Sequence, residues 1–302
     1  MTKDVCLIFN PAAGKKRALA RLKRLYKDLG SRIDFAPTRS PGHGLELARQ
    51  AALDGYPIVA AAGGDGTVHE VANGLLLSRR PDVHFAILPI GSANDFSHSL
   101  DWHQAHHPAA GHVSTIDVGV VREPGGREKF FVCCLGLGFN GAVTLESRKI
   151  RKLQGIALYG LATIRALWYH YRCPTMEVTI DDQATIREPT LMFSALAGRR
   201  EGGFVLAPKA RLNDGLLDFI HARDLSRWEV LNFLPRLALF GPPEQHPKLR
   251  LGQGKKVSIK SPLPLTVHVD GEFFARPEDG IHQIEIEIVP AALQARTFAS
   301  TM

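Results

Sequence analysis

Cysteine is scarce in this chain, with four in 302 residues. Cys6, Cys133, Cys134 and Cys173 form no CxxC pair and no framework spacing, which excludes a disulfide scaffold and points to free thiols in a reducing cytosol. Long apolar runs are lacking too. The longest, Gly155 to Tyr171, is interrupted by Arg165 and His170, so a bilayer would be met only from its surface. Met1–Asp4 leads into a short run, Val5 to Phe9, too brief for a signal peptide. No internal repeat or low-complexity tract occurs. Neither sign of charge dominates: 37 Lys and Arg stand against 30 Asp and Glu, a net +7. That excess suits an anionic partner such as nucleotide, nucleic acid or inner membrane leaflet, without choosing among them. The remainder, 45% hydrophobic and 22% charged, is ordinary for a globular protein, and the length suits two domains.

Val5 to Phe9 is a buried-strand pattern ending at Asn10-Pro11-Ala12-Ala13-Gly14-Lys15, followed by a helical pattern with Leu19, Leu22, Leu25, Tyr26 and Leu29 that Gly30 stops. Ile33 to Ala36 reads as a strand. Ser40 and Pro41 then read as N-cap and first residue of a helix. Pro57 to Ala62 runs into Gly63-Gly64-Asp65-Gly66-Thr67 and a helical pattern through Val68, Val71, Ala72 and Leu75; His84 to Leu88 runs into Pro89-Ile90-Gly91-Ser92-Ala93-Asn94-Asp95-Phe96. Three times an apolar strand ends in a Gly-bearing turn and a helix start. That predicts a parallel α/β sheet with ligands beyond the carboxyl ends of its strands. From about residue 113 the pattern turns to strands: Ile116–Val121, Lys129–Leu135, Thr175–Ile180, Leu191–Ala197, Leu216–His221, Val257–Ser261, Leu265–Val269 and Ile284–Val289. Several alternate strictly, as antiparallel sheet with one wet face does. Helical stretches, Gly155 to Tyr171 and Arg227 to Phe240, interrupt them.

Gly63 to Thr67 is the segment best suited to hold phosphate, because glycines permit close backbone approach and a helix start presents unpaired N–H groups. Asp65 within it suits a phosphate-bound metal better than bare phosphate. Asn10 to Lys15 is not a Walker A loop, since GxxxxGK requires a glycine that is missing. Gly136-Leu137-Gly138-Phe139-Asn140-Gly141 matches GxGxxG, but no acid ends a following strand, so a Gly-rich turn between domains is the simpler reading. Asp214-Gly215 and Asp270-Gly271 read as turns. Glu272, between Leu265–Val269 and Phe273-Phe274, stands out because a carboxylate held against aromatics can have the raised pKa a general base needs. His98, His103, His106, His107 and His112 lack zinc spacing and read as a solvated loop. Arg148 to Leu153 with the following aromatic helix reads as packing on its own domain or, more sharply, as a surface facing anionic headgroups.

In order, Asn10-Pro11-x-x-Gly14, Gly63-Gly64-Asp65-Gly66-Thr67-x-x-Glu70, Pro89-x-Gly91-Ser92-x-Asn94-Asp95-Phe96, Asn213-Asp214-Gly215-x-Leu217-Asp218 and Asp270-Gly271-Glu272 resemble the diacylglycerol kinase catalytic-domain family, which includes bacterial lipid kinases and the sphingosine and ceramide kinases. The resemblance spans nearly the whole chain. It implies an α/β plus β fold: a doubly wound parallel-sheet nucleotide-binding domain over 1–112 and an antiparallel, sandwich-like β domain over 113–289. The active site would lie in the cleft between them, and 290–302 would return to the first domain. It implies ATP and Mg²⁺ as cosubstrates and a lipid at the bilayer surface, not nucleic acid, as partner of a cytoplasmic, peripherally membrane-associated enzyme. Nucleotide contacts are then expected from Asn10, Pro11, Ala12, Ala13, Gly14, Thr38, Gly64, Asp65, Gly66, Thr67, Val68, His69, Glu70 and Ser92. Asp214 is expected as a Mg²⁺ ligand with the backbone oxygens of Arg211 and Leu216, Glu272 as proton acceptor, and Asp65 in metal binding or proton transfer. Position 92 carries Ser where the family usually has Thr. A soluble kinase of the NAD kinase type shares Gly-Gly-Asp-Gly-Thr but lacks the Asp-Gly-Glu near the chain end. A nucleotide-binding regulator would not require Glu272. The acceptor lipid and the oligomeric state, an edge-strand homodimer among the options, are left open.

Overall fold

A computed structural model describes residues 4–13, 22, 32–91, 93–102, 107–150, 152–153 and 155–298. The chain divides into one unit made of Met1–Asp117 with Pro290–Met302 and a second made of Val118–Val289.

In the first unit β1 (Val5–Phe9), β2 (Ile33–Pro37), β3 (Ile58–Gly63) and β4 (His84–Pro89) form a parallel sheet in the order β2-β1-β3-β4. β1 and β3 are buried along their whole length, which is why they read as unbroken apolar runs rather than as alternation. Helices α1 (His43–Leu53), α2 (Asp65–Ser78) and α3 (Asp95–Ser99) follow β2, β3 and β4. The helix expected across Leu19 to Gly30 lies outside the described residues, apart from Leu22, which is buried in the core with Leu7, Phe9 and Leu88. α1 begins two residues later than Ser40 and Pro41 suggest, with Gly42 as its N-cap. The cause is tertiary. Glu70 on α2 accepts the N–H of Gly42 (2.7 Å) and of Gly44 (2.8 Å), so a carboxylate from a neighbouring helix satisfies the first-turn donors that a local cap would otherwise take.

The chain enters the second unit within β5 (His112–Arg122) and leaves it within the last strand, β18 (Gln283–Thr297). Between them lie β6 (Glu128–Phe131), β7 (Cys134–Gly138), α4 (Phe139–Ser147), α5 (Gly155–Tyr169), β8 (Thr175–Ile180), β9 (Ile186–Pro189), β10 (Met192–Leu196), the short β11 (Arg200–Glu201) and β12 (Phe204–Val205), β13 (Leu217–Ala222), α6 (Arg227–Leu239), β14 (Leu249–Gly254), β15 (Lys256–Lys260), β16 (Val267–Val269) and β17 (Glu272–Ala275). Six of these strands form an antiparallel sheet, β14-β13-β10-β7-β16-β17. The early residues of β18 pair with β15, and β15 with β8, also antiparallel. Alternate residues of both sets, among them Leu135, Leu137, Phe193 and Phe219 against Val178, Ile259, Ile284 and Ile286, fill one core, as in a β-sandwich. The last part of β18 belongs to the first unit, where Gln294 and Ala295 pair in parallel with His84 and Phe85.

Two expectations are corrected here. The strand expected over Lys129 to Leu135 is two, β6 and β7, because the N–H groups of Val132, Cys133 and Cys134 turn to the Asp270 carboxylate at 2.9–3.0 Å. The Gly136 to Gly141 segment is not a turn between domains; it is the end of β7 and the start of α4, inside the second unit.

Buried ionisable groups mark this unit. Burial pushes the Glu146 carboxyl up, but hydrogen bonds from Lys149, Arg165 and His170 outweigh it and hold it down at about 2. Arg165 on α5 and His170 just beyond it tie α5 to α4 through this carboxylate, which is 1% exposed, while Lys149 reaches it from three residues along the chain. His221 on β13 is buried with Nε2 at 2.8 Å from the Thr190 hydroxyl, and burial lowers its pKa from the ordinary 6.5 to about 4. The unfolded chain therefore takes the proton first. Stability should fall as the pH drops from 6.5 toward 4, by about 3 kcal/mol from this residue. Urea unfolding across that range should show the slope, and His221→Gln should remove it.

Candidate active site

In the first unit the expected nucleotide residues cluster at the carboxyl ends of the parallel strands. Asn10 follows β1 and its N–H donates to the Ala62 carbonyl of β3 (3.2 Å), while its Oδ1 accepts the Ala12 N–H (2.9 Å) and its carbonyl the Ala13 N–H. Pro11 completes that turn and is exposed. Thr38 is tied to the same end of β1 by its N–H to Phe9 (2.8 Å). Gly14 and Ser92 lie outside the described residues.

The Gly63–Thr67 turn passes directly into α2. The N–H groups of Thr67 and Val68 both reach the Gly64 carbonyl, and those of Ile90 and Gly91 both reach the Gly63 carbonyl. The turns after β3 and β4 therefore touch. A Cβ on Gly91 would collide with the Gly64 Cα, so glycine here serves close approach of two backbones. Asp65 binds the pair together: its Oδ1 accepts the Asp95 N–H at 2.7 Å and its Oδ2 the Asn94 N–H at 3.0 Å. Thr67, Val68 and His69 are buried, so their side chains shape the turn from beneath. Gly64 and Gly66 remain partly exposed, and Glu70 is committed to the start of α1.

In the second unit, Asp214 lies on the turn that leads into β13, with Oδ1 accepting the Leu216 N–H at 3.1 Å. Asp214 and Arg211 are exposed and Leu216 is half-buried. A carboxylate and two carbonyl oxygens form an all-oxygen set that suits a hard cation. Burial, with the Asp214 charge adding to it, pushes the neighbouring Asp218 carboxyl up against an opposing hydrogen bond from Gln253. This crowding of negative charge is what a bound cation would relieve.

Glu272 begins β17, just after a two-residue hairpin tip whose residues, Asp270 (φ 49°) and Gly271 (φ 82°), are both left-handed, the backbone that Asp-Gly favours. The Glu272 side chain is 41% exposed and Oε2 meets Arg148 Nη2 at 2.9 Å. The same guanidinium donates to the Gly271 carbonyl (2.8 Å) and lies over the Phe273 ring. Arg148 thus orients the carboxylate and braces the tip. Strand register (Asp218 beside Leu196, Leu196 beside Cys134, Leu135 beside Val269, Val269 beside Glu272) puts Asp214 and Glu272 at the same end of the six-stranded sheet.

Behind the hairpin lies a polar network that sequence reasoning missed. Glu201 accepts from Asn140 (3.1 Å), Ser194 (3.1 Å) and His268 (3.0 Å). The His268 Nδ1 accepts the Gly271 N–H at 3.4 Å, which leaves Nε2 to donate toward Glu201. Cys134 Sγ joins this carboxylate and ring within 4.8 Å, the one metal-ligand-like cluster among the described residues. A metal on Nε2 would leave Nδ1 protonated and facing another N–H, against the usual wiring of a ligating histidine. The group is better read as a hydrogen-bonded brace for the Asp270–Glu272 tip. Its one local signal is Gly136 within a strand, where a Cβ would collide with His268. Of the five histidines read as a solvated loop, His98 lies instead in α3 and His112 opens β5, His107 is exposed, and His103 and His106 are outside the described residues.

Comparison with known proteins agrees with this arrangement. The diacylglycerol kinase catalytic domain matches residues 4–121, and the YegS C-terminal NAD kinase beta sandwich-like domain matches residues 134–296. A diacylglycerol kinase of Staphylococcus saprophyticus is 27% identical over 288 residues, covering 90% of each chain. One of Staphylococcus aureus is 27% identical, covering 90% of this chain and 87% of its own. The solved structure of a diacylglycerol kinase from Bacillus anthracis shares the fold, with a TM-score of 0.70, 19% identity and coverage of 99% and 98%. An NAD kinase from Archaeoglobus fulgidus, solved with ATP, is more distant, at a TM-score of 0.51 and 12% identity over 98% and 93%. With a diacylglycerol kinase catalytic domain followed by the YegS C-terminal domain, the chain belongs to the diacylglycerol kinase catalytic-domain family.

Proposed function

We propose that the protein is an ATP- and Mg²⁺-dependent kinase that transfers the γ-phosphate of ATP to the hydroxyl of a membrane lipid. The observation that carries this reading is Glu272, a carboxylate 41% exposed beside the hairpin tip and oriented by Arg148, which also holds the Gly271 carbonyl. Nucleotide binding alone has no use for such a group, whereas an alcohol acceptor needs a base within hydrogen-bonding reach. The first unit supplies the nucleotide side of the reaction. Backbone N–H groups at the start of α2 and glycines at two touching turns suit the phosphates. Asp65 acts there by fixing the second turn against the first. Bound Mg²⁺ would be held by Asp214 with the carbonyl oxygens of Arg211 and Leu216, and supplies neutralisation of phosphate charge. As the acceptor oxygen bonds to the γ-phosphorus, the bond from phosphorus to the ADP oxygen breaks and the hydroxyl proton passes to Glu272. The names of the relatives at 27% identity favour a lipid over NAD as acceptor.

The test is incubation with labelled ATP, Mg²⁺ and either a total lipid extract or NAD. Labelled lipid is expected, and mass spectrometry of that product identifies the acceptor. Labelled NADP would replace this reading with the NAD kinase type. Label in neither would make the protein a nucleotide-binding regulator.

A further inference from the structure

Nine of the thirteen exposed large apolar side chains among the described residues lie between Leu153 and Phe240 in the second unit, so the exposure is concentrated and not scattered. α5 buries Ala162, Thr163, Ala166 and Leu167 on one side. Its other side repeats Ala157, Leu161, Ile164 and Trp168, one stripe at helical spacing, all exposed. A helix that is apolar on both sides belongs in an interior, and α5 has an interior on only one. α6 packs beside it: Arg227 Nε donates to the Leu167 carbonyl at 2.9 Å, and Val230, Leu231 and Phe233 join Ala166 and Leu167 in one cluster. No residue of α6 is fully buried, and Trp228 and Leu239 stand out from it.

The charge on the two helices themselves has one sign to spare. α5 contains no acidic residue, and its Arg165 is held by Glu146. The only acid on α6, Glu229, is taken by Lys248 and by the Ser226 N–H. Flanking or within the two helices, Lys152, Arg172, Arg227 and Arg236 are exposed, against one exposed acid among the described residues, Asp224, with Glu244 paired to Lys209. With 15 residues α5 is too short to cross a bilayer. An apolar stripe with exposed indoles and a basic rim is instead the composition of a helix lying in the headgroup plane of an anionic membrane.

We propose that the outer face of α5 and α6 is a membrane-docking surface that seats on anionic bilayers through Trp168 and Trp228. The choice of occupant rests on the lipid-kinase reading. The chain has three tryptophans. Trp102 is fully buried, whereas Trp168 is 77% and Trp228 75% exposed, so changes in indole emission report this face. Adding phosphatidylcholine–phosphatidylglycerol vesicles to the full chain should shift emission to the blue and carry the protein into the vesicle pellet, less so at high salt. The W168S/W228S double variant, folded by its unchanged melting temperature, should lose about tenfold in vesicle affinity. It should still phosphorylate a short-chain, water-soluble diacylglycerol at the wild-type rate. Wild-type protein that neither shifts nor pellets, or a double variant that pellets equally well, would overturn the proposal while leaving lipid phosphorylation intact. A blue shift that grows with protein concentration without vesicles, accompanied by dimers in sedimentation, would reassign the face to a second copy. Failure of the lipid-kinase reading shows separately, as absence of labelled lipid when the wild-type protein is given the total extract.

Discussion

Glu272→Gln is expected to lower phosphoryl transfer by at least about 10³-fold, within the range set by positioned general bases, while ATP affinity changes little. The amide keeps an oxygen that can accept from Arg148 as the carboxylate does at 2.9 Å, so the hairpin tip should hold its shape. What disappears is basicity: the amide cannot take the proton that the acceptor hydroxyl must lose. ATP affinity is expected to survive because Glu272 and the nucleotide turns belong to separate units. Single-turnover rates beside equilibrium ATP titration make the check. Near-normal turnover would remove Glu272 from the chemistry.

Asp65→Ala should cost about 10²-fold in ATP affinity, with and without Mg²⁺. The carboxylate takes the N–H groups of Asn94 and Asp95 at 3.0 and 2.7 Å, and hydrogen bonds to a charged group are worth roughly 1.5–3 kcal/mol each. Without them the turn after β4 is no longer clamped to the turn after β3. Asp65→Asn should be nearly as damaging, because one of its two positions would present N–H to an N–H. Titration in EDTA separates this clamp from direct metal binding. If affinity in EDTA matches wild type and only the Mg²⁺ dependence changes, Asp65 serves the metal and not the turn.

The fold class was legible wherever burial imposed a pattern. Ile58–Gly63 is buried throughout and reads as an unbroken apolar run. Gln283–Thr297 begins as strict alternation, with Ile284, Ile286 and Ile288 buried. What failed was decided by contacts distant in sequence. Ser40 and Pro41 are good local capping residues, yet α1 starts later because Glu70, far along the chain, supplies the acceptor. Val132 and Cys133 look like the middle of a strand until Asp270 draws their N–H groups aside. The turn residues were visible because glycine and aspartate have local conformational reasons to be there. The brace of Asn140, Ser194, Glu201 and His268 was not, because its members come from four elements and none is unusual alone. The Phe273 ring does lie near Glu272, but through Arg148, whose guanidinium stacks on the ring and meets the carboxylate; an arginine so distant in sequence gives no local signal.

The order of the segments bears on synthesis. Val118–Val289 is one continuous stretch, whereas its companion is made from both ends of the chain. A ribosome releases the first four parallel strands early, but the strand that borders β4 emerges only after residue 289, where Gln294 and Ala295 find His84 and Phe85. The parallel-sheet unit therefore starts first and is completed only after residues 118–289 have been made, when the sandwich has had time to form, since chains tend to fold unit by unit as they are made.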